Sequence, residues 1–362
     1  MKRIPHRFST DYWLFSVISA LVMFGIIMVF SASAALSPAA FYRVLALQLG
    51  CALGCFALLF FFMGWDYRYL NRNAAVIGLL SLTVLLLLLV FFFPAKNGAH
   101  RWIQLPFFDF QPAELAKVSL MVFLAWYLER YGAEINQPRV LALCGLPLAV
   151  ILGLIVVQPD LGTVLCLAAI GVLMLFLAQI RWAYILIVAV ASLPALYFFL
   201  FRVSFRWKRL LAFLDPFNDP LGASYHIRQS LLAIGNGGIL GQGLGEGKAK
   251  LFFLPESNTD FIYAVIGEEL GLWGSLLVLA LFGILLWRGL RAAIHAPDRF
   301  GSYLALGLTL VLVLQALINM SVALSLVPTK GITLPFISKG GSSLLMSSIA
   351  AGLLLNVAQE GQ

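Results

Sequence analysis

Long apolar segments separated by short polar stretches follow one another along almost the whole chain. A stretch of roughly 20 apolar residues is long enough to cross a lipid bilayer as a helix. The pattern therefore predicts an all-α, polytopic integral membrane protein with about ten transmembrane helices. Their expected ranges are 13–35, 44–64, 74–94, 112–130, 139–157, 161–180, 182–201, 260–287, 300–327 and 340–358.

The eighth predicted span differs from the others because it begins with polar residues. It includes Glu268 and Glu269, so we expect its first turns either to lie outside the hydrocarbon or to face the interior of the bundle. Ionisable side chains are too costly to leave facing lipid.

The composition supports a membrane protein. Of the 362 residues, 62% are hydrophobic and only 11% are charged, whereas roughly 25% charge is usual in a soluble domain. We expect a single transmembrane domain over residues 1–362. The first apolar run is longer than the core of a signal peptide, so we interpret it as an uncleaved first helix.

The distribution of Lys and Arg predicts the orientation. An even number of spans places both termini on one side, and cytoplasmic segments carry the excess of Lys and Arg. With the N-terminus inside, the inner segments hold 11 of these residues and the short outer loops hold 5. Both termini are therefore predicted to be cytoplasmic. This topological bias accounts for the net charge of +8, so we expect no nucleic-acid partner.

One long segment, 202–259, connects the seventh and eighth spans on the outer face. It contains a turn signal at 215–220, an amphipathic stretch at 224–234 and a Gly-rich run at 235–247. Loops longer than about 15 residues are usually functional or disordered, and the aromatic and aliphatic content here argues against disorder. We expect this extracytoplasmic loop to fold over the outer mouth of the bundle.

Two familiar kinds of site lack the residues they need. The run 241–248 resembles a phosphate-binding loop, but Gln242 stands at the first Gly position and Ala249 at the Ser/Thr position. The four histidines are scattered, and the four cysteines lie within apolar segments. We therefore predict no nucleotide site and no dedicated metal site.

Several charged residues near the outer ends of the spans are candidates for function. Glu114 and Lys117 are three residues apart, so they can pair on one helix face, and such a pair could also be purely structural. Arg101 precedes an aromatic patch and could instead be an anchor at the membrane interface. Asp160 and Asp260 each begin a predicted helix, where a carboxylate can simply cap free N–H groups.

The tenth predicted span is preceded by a second cationic group. Lys330 and Lys339 lie among Gly and Ser residues whose backbone N–H groups suit an anion at a helix start. Glu256 precedes Asp260 at the end of the long loop. Together these groups suit a polar headgroup that contains phosphate, and the pattern leaves open whether the headgroup is moved or chemically changed.

At these motifs the chain resembles the FtsW/RodA/SpoVE family, the SEDS proteins of bacterial cell-wall synthesis, and the resemblance covers nearly the whole chain. The short spacing between Gly245 and Leu254 is more similar to the FtsW/SpoVE branch than to RodA. Lys339 departs from the Tyr that the family typically has, and Asn258 departs from a common His. The motifs are 28–33, 101–103, 110–117, 158–163, 213–216, 229–230, 254–261, 267–271 and 328–343.

The resemblance implies a peptidoglycan glycosyltransferase that polymerises lipid II in the bacterial cytoplasmic (inner) membrane during division or cell-shape synthesis. By motif position, Asp260 matches the family's essential aspartate, and Glu114 and Lys117 match its Glu/Lys pair. The resemblance also implies a divalent cation, Mg²⁺ or Mn²⁺. Its implied partners are a class B penicillin-binding protein as transpeptidase and other membrane proteins of the divisome or elongasome.

The expected chemistry is attack of a sugar hydroxyl on the anomeric carbon of a lipid-linked diphosphate sugar. Asp260 is the candidate general base, and Glu114 and Lys117 complete the predicted catalytic set. The predicted substrate-binding residues are Arg101, Asp160, Glu256, Lys330, Ser342 and Ser343. Two alternatives stay open, a lipid II flippase or transporter, which needs no base, and a non-catalytic scaffold for division proteins.

Overall fold

Ten helices of the structure coincide with the ten predicted spans. The structure is a computed structural model that describes residues 11–34, 37–96, 98–105, 109–201, 207, 211–213, 215, 224–248, 250, 254, 256–328 and 331–361. The ten helices are α1 (Tyr12–Ala32), α2 (Pro38–Gly64), α3 (Asn73–Leu89), α4 (Pro112–Tyr131), α5 (Pro138–Val157), α6 (Leu161–Leu177), α7 (Trp182–Phe201), α9 (Ile262–His295), α10 (Arg299–Ala323) and α11 (Gly341–Glu360). Within the described part of the long segment, α8 spans Tyr225–Gly237.

The chain is a polytopic helical membrane protein. Among the described helices, α1, α2, α3, α5, α9, α10 and α11, seven in all, are long and apolar enough to cross a membrane. The apolar stretches of α6 and α7 are shorter, and α4 carries charged residues at both ends. The all-α prediction is confirmed, since the described strands are a two-residue pair, Ile103–Gln104 with Asp109–Phe110.

Three helices form the centre of the bundle. The most apolar segments of α10 and α11 are 67% and 78% buried, against 22% for α3 and 17% for α5. Most residues of α4 are also buried. Because every span is apolar, hydropathy alone cannot distinguish a central helix from one that faces lipid. The polar residues Glu114 and Lys117 of α4 and Gln315 and Asn319 of α10 lie in the protein interior.

The helix α9 is broken at Gly271, which has φ 65° and ψ −155°. The break divides α9 into an outer segment, 262–270, and a longer inner segment. The carbonyls released by the break must find other donors inside a membrane protein. The N–H groups of Gln242 and Gly243 supply them, each 3.0 Å from the carbonyl oxygen of Glu268 or Glu269 respectively.

The Gly-rich run therefore stabilises the backbone at this break. A Cβ added to Gly241 would lie 2.2 Å from the carbonyl oxygen of Glu269, so only glycine allows the two backbones to approach this closely. Glu268 and Glu269 are each only 1% exposed. The polar start of the eighth predicted span therefore faces the protein interior, which was one of the two positions expected for it.

Candidate functional site

Glu114 and Lys117 form a buried ion pair near the start of α4. The Lys117 Nζ lies 2.7 Å from Glu114 Oε1 and donates to Gln315 Oε1 at 2.6 Å. Both charged side chains are less than one-tenth exposed. The pairing expected from their spacing is confirmed, and Gln315 of α10 is a third partner that neither spacing nor motif identified. A small cavity beside the pair is also lined by Ser347 and Met346 of α11.

Asp260 lies in a turn just before the outer segment of α9. The helix begins at Ile262, and its N-cap position is Phe261, without a side-chain capping bond. Asp260 therefore does not occupy the capping position that was one alternative for it. Its carboxylate lies against the backbone of Gly331, since a Cβ placed there would be 3.0 Å from Asp260 Oδ2. Asn319 of α10 holds the same turn by donating to the Asp260 carbonyl at 2.8 Å.

The segment 331–339 also holds the Asp260 turn through hydrogen bonds. Ser338 Oγ donates to the Thr259 carbonyl at 2.6 Å, and the Lys339 N–H donates to the Asn258 carbonyl at 2.9 Å. The two residues that depart from the family pattern are therefore in direct contact through the backbone. Glu256 and Phe336 adopt positive φ angles of 55° and 66°. Such strained conformations persist where the surrounding contacts enforce them.

Hydrogen bonds connect this segment to the ion pair on α4. Gln315 Nε2 donates to the Thr333 carbonyl at 2.9 Å, and Thr333 Oγ1 donates to Ser343 Oγ at 2.8 Å. Gln315 therefore contacts Lys117 through its oxygen and Thr333 through its nitrogen. The structure joins three of the predicted site residues, Glu114, Lys117 and Ser343, into one polar network.

Ser342 belongs to a second set of contacts at the start of α11. Its Oγ donates to the Asp109 carbonyl at 2.6 Å and accepts from the Gln111 N–H at 3.1 Å. The Gln111 amide in turn donates to Asp160 Oδ2 at 3.2 Å. Ser342 and Asp160 are thus connected through one glutamine.

Asp160 and Arg101 both serve the junction between α5 and α6. Asp160 is 3% exposed and caps α6, accepting from the Thr163 N–H at 3.2 Å. Arg101 donates to the carbonyls of Gln158, at 3.0 Å, and Pro159. The capping alternative for Asp160 is confirmed, and Arg101 makes these backbone contacts instead of being only an anchor at the membrane surface. Substrate roles for both residues stay predictions.

Glu256 and Lys339 lie around the Asp260 turn. Glu256 is exposed and accepts from Thr259 Oγ1 at 2.8 Å. Lys339 is partly buried, and burial lowers the pKa of its ammonium, with Glu256 opposing this decrease. Lys330 lies outside the described residues, so its predicted role has no structural counterpart here.

A divalent cation would find few protein ligands here. Among the residues that the structure describes, no three His, Cys, Asp or Glu side chains come close enough to hold a metal ion. Mg²⁺ commonly takes one or two carboxylates and completes its shell with water and substrate phosphates. The described residues therefore do not form a dedicated metal cage.

The sequence-based prediction missed the amides that connect the site. Gln315 and Asn319 lie four residues apart within the apolar helix α10 and are 2% and 1% exposed. Residues at this spacing share one face of a helix. Two amides on one face of a membrane span indicate a polar interior face, and the sequence analysis did not consider them because it selected charged residues.

Comparison with known proteins identifies the family. The sequence profile described as cell cycle protein, covering FtsW, RodA and SpoVE, matches residues 12–362. The chain is 45% identical to the probable peptidoglycan glycosyltransferase FtsW of Geobacter metallireducens, over 93% of this chain and 92% of that protein. It is 37% identical to the stage V sporulation protein E of Bacillus subtilis, over 97% of both chains.

Solved structures agree with the sequence relatives. A chain from the structure described as "Structural coordination of polymerization and crosslinking by a peptidoglycan synthase complex" aligns with a TM-score of 0.79 and 30% identity, covering 98% of both chains. The rod shape determining protein RodA of Thermus thermophilus aligns with a TM-score of 0.71 and 28% identity, covering 97% of both. The chain therefore belongs to the FtsW/RodA/SpoVE family, and its identities with FtsW and SpoVE proteins support the FtsW/SpoVE branch.

Proposed function

We propose that this chain is a peptidoglycan glycosyltransferase that polymerises lipid II into glycan strands, with Asp260 as general base. Relatives named peptidoglycan glycosyltransferase FtsW align over more than nine-tenths of its length. The FtsW/SpoVE branch favours a role in division or sporulation wall synthesis. In this proposal the protein lies in the bacterial cytoplasmic membrane with both termini in the cytoplasm.

The observation that carries the proposal is that one face of α10 contacts both the buried Lys117 ammonium and the backbone of the Asp260 turn. Gln315 contacts Lys117, and Asn319 contacts the backbone of Asp260. These two amides are one helical turn apart, a rise of about 6 Å. The turn that carries the candidate base and the buried ammonium are therefore held by the same face of one helix.

The chemistry follows from these positions. Asp260 removes the proton of the attacking sugar hydroxyl as its oxygen bonds to the anomeric carbon, and the bond from that carbon to the diphosphate oxygen breaks. A positioned base of this kind contributes roughly 10²–10⁴-fold. Direct displacement inverts the anomeric configuration.

Cations near the leaving diphosphate stabilise the charge that develops on it. Lys117 is one source in this proposal, because it lines a small cavity together with Glu114 and Gln315. Glu114 orients the ammonium by accepting one of its hydrogen bonds. A Mg²⁺ or Mn²⁺ ion bound by the diphosphate would add positive charge when present, and the chain's own residues carry the steps described above.

The proposed partner is a class B penicillin-binding protein. The aligned structure is described as a peptidoglycan synthase complex that coordinates polymerization and crosslinking. A polymerase that makes uncrosslinked strands needs such a transpeptidase to complete the wall. Other membrane proteins of the division or elongation machinery belong to the same proposal.

The test is polymerisation by the purified chain, alone and with a class B partner, supplied with lipid II. We expect glycan strands from the wild type and their loss in Asp260→Asn, which keeps the shape of the side chain and removes its basicity. Glycan production by a correctly folded Asp260→Asn protein would refute the assignment of the base. Lipid II scrambling between leaflets without glycan would support a flippase, and partner binding without either activity would support a scaffold.

A further inference from the structure

One buried ion pair lies on each side of the break at Gly271, and each is connected to α1: the outer one through Ser31, the inner one through Asp11. On the outer side, the Lys250 Nζ lies 2.7 Å from Glu269 Oε1, and both side chains are almost fully buried. Ser31 of α1 donates to Glu269 Oε2 at 2.6 Å. On the inner side, Arg288 Nε donates to Asp11 Oδ2 at 3.0 Å.

The two pairs hold different parts of α9. Ser31 and Asp11 are 20 residues apart, about 30 Å in a helix, so the two pairs lie at opposite ends of α1. Arg288 belongs to the long inner segment. Glu269 belongs to the short outer segment, which follows the Asp260 turn.

The helical hydrogen-bond ladder of α9 does not by itself position the outer segment, although the Tyr263 hydroxyl donates to the Ser275 carbonyl at 3.3 Å across the break. The backbone turns at Gly271, so the hydrogen-bond ladder of a continuous helix does not cross this point. Other contacts must fix the segment, and the hydrogen bonds from the Gly-rich run to the carbonyls of Glu268 and Glu269 are one set. The Lys250–Glu269–Ser31 group is the buried ionic contact at the same end.

We propose that Lys250 and Glu269 are positioning residues that hold Asp260 in its catalytic place by locking the outer segment of α9 to α1. This inference rests on the proposed function. Glu269 lies nine residues after Asp260, which corresponds to about 13 Å along a helix axis. A shift at one end of so short a segment therefore moves the turn at the other end.

Lys250 connects this buried ionic contact to the long loop. It is carried by the segment 202–259 and is 6% exposed, so the ionic contact exists only when that part of the loop is docked against α1 and α9. Neither Lys250 nor Glu269 was among the predicted site residues. Both act through Asp260 and need no contact with the substrate.

The experiment compares the two ion pairs in the full-length chain. Lys250→Met removes the outer pair, and Arg288→Met removes the inner pair, which joins α9 to the start of α1. Lys248→Met is a second control, since Lys248 lies on the same loop with its side chain exposed. For each variant, kcat and KM for lipid II polymerisation are measured per folded molecule, with the folded fraction taken from the monodisperse peak in detergent.

We expect Lys250→Met to lower kcat roughly tenfold to a hundredfold, the effect of a displacement of about 1 Å in a catalytic group, with KM unchanged. Arg288→Met and Lys248→Met should keep the wild-type kcat per folded molecule. Equal values of kcat for Lys250→Met and Arg288→Met, whether both low or both normal, would overturn the proposal.

A milder pair of variants covers the case in which Lys250→Met does not fold. Ser31→Ala removes only the hydroxyl that donates to Glu269. Ser33→Ala is its control, since the buried Ser33 hydroxyl has no hydrogen-bond partner among the residues that the structure describes. A lower kcat in Ser31→Ala alone supports the proposal, and equal kcat in both overturns it. A wild type that makes no glycan would refute the proposed function itself, whereas normal catalysis by Lys250→Met would refute only this inference.

Discussion

The Lys117 ammonium donates to Gln315 at 2.6 Å, which connects the ion pair on α4 to the most polar face of α10. Gln315 also holds Thr333 in the segment before α11. One amide therefore couples the charged pair to the segment that grips the Asp260 turn. Removing a partner from this network leaves buried polar groups without hydrogen bonds, which is more costly than removing an exposed one.

The first prediction concerns the ion pair. Lys117→Met leaves the Glu114 carboxylate buried without its cation and should destabilise the protein by about 3–5 kcal/mol. The double variant with Glu114→Gln should recover most of that loss, because neither side chain is then charged. Thermal unfolding in detergent measures the stability, and lipid II polymerisation measures activity on the same samples.

Activity separates a structural pair from a functional one. If Lys117 supports the leaving diphosphate, the double variant is stable and inactive. A double variant that is both stable and active would show that the pair only holds α4 in place.

The second prediction concerns Asn319. Its side-chain nitrogen donates to the carbonyls of Asp260, at 2.8 Å, and Ile332, at 2.7 Å. Asn319→Leu leaves both carbonyls unpaired, at about 1–3 kcal/mol each, and releases the turn that carries the candidate base. We expect a loss of stability together with a lower kcat, measured against Ser321→Ala on the same helix. A folded Asn319→Leu protein with normal kcat would contradict this link between α10 and Asp260.

The spans were predictable because a bilayer demands long apolar helices, and this requirement is local in sequence. The ranges differ from the helices by a few residues at most ends, with α2 beginning at Pro38 instead of residue 44. The break in α9 was not predicted. Gly271 lies in a run that also contains Gly267 and Gly274, and only the approach of a distant Gly-rich run determines which glycine bends.

The site was predictable only in part. Glu114 and Lys117 are close in sequence, so helical spacing was enough to pair them. Lys250 and Glu269 are 19 residues apart, and each finds Ser31 more than 200 residues away. Spacing rules relate residues within one helix, so they could not predict these contacts between distant segments.

The third prediction is a pH effect at Lys339. Burial lowers the pKa of this ammonium from its usual value of 10.5, Glu256 opposes the decrease, and Lys96 and Arg43 add to it. The charged form is thus disfavoured in the folded state. Between the folded and unfolded pKa values the unfolded chain holds an extra proton, so stability rises with pH through that window.

Lys339→Met removes this penalty. The variant should therefore unfold at a slightly higher temperature than the wild type near neutral pH, and the difference should shrink as the pH approaches 10.5. Lys248→Met, an exposed lysine, should show no such pH-dependent difference. A gap that widens with rising pH would contradict the sign of the shift.

The fourth prediction tests how closely α8 packs against the outer segment of α9. A Cβ on Gly237 would lie 1.9 Å from the Gly267 carbonyl oxygen, whereas a Cβ on Gly235 meets nothing within 4 Å. Gly237→Ala should therefore destabilise the protein by about 3 kcal/mol, at the upper end of overpacking effects, and lower kcat by displacing the segment that carries Asp260. Gly235→Ala should be neutral or stabilise α8 by up to about 1 kcal/mol. Equal unfolding temperatures for the two variants would mean that α8 is not docked on α9 in the membrane-extracted protein.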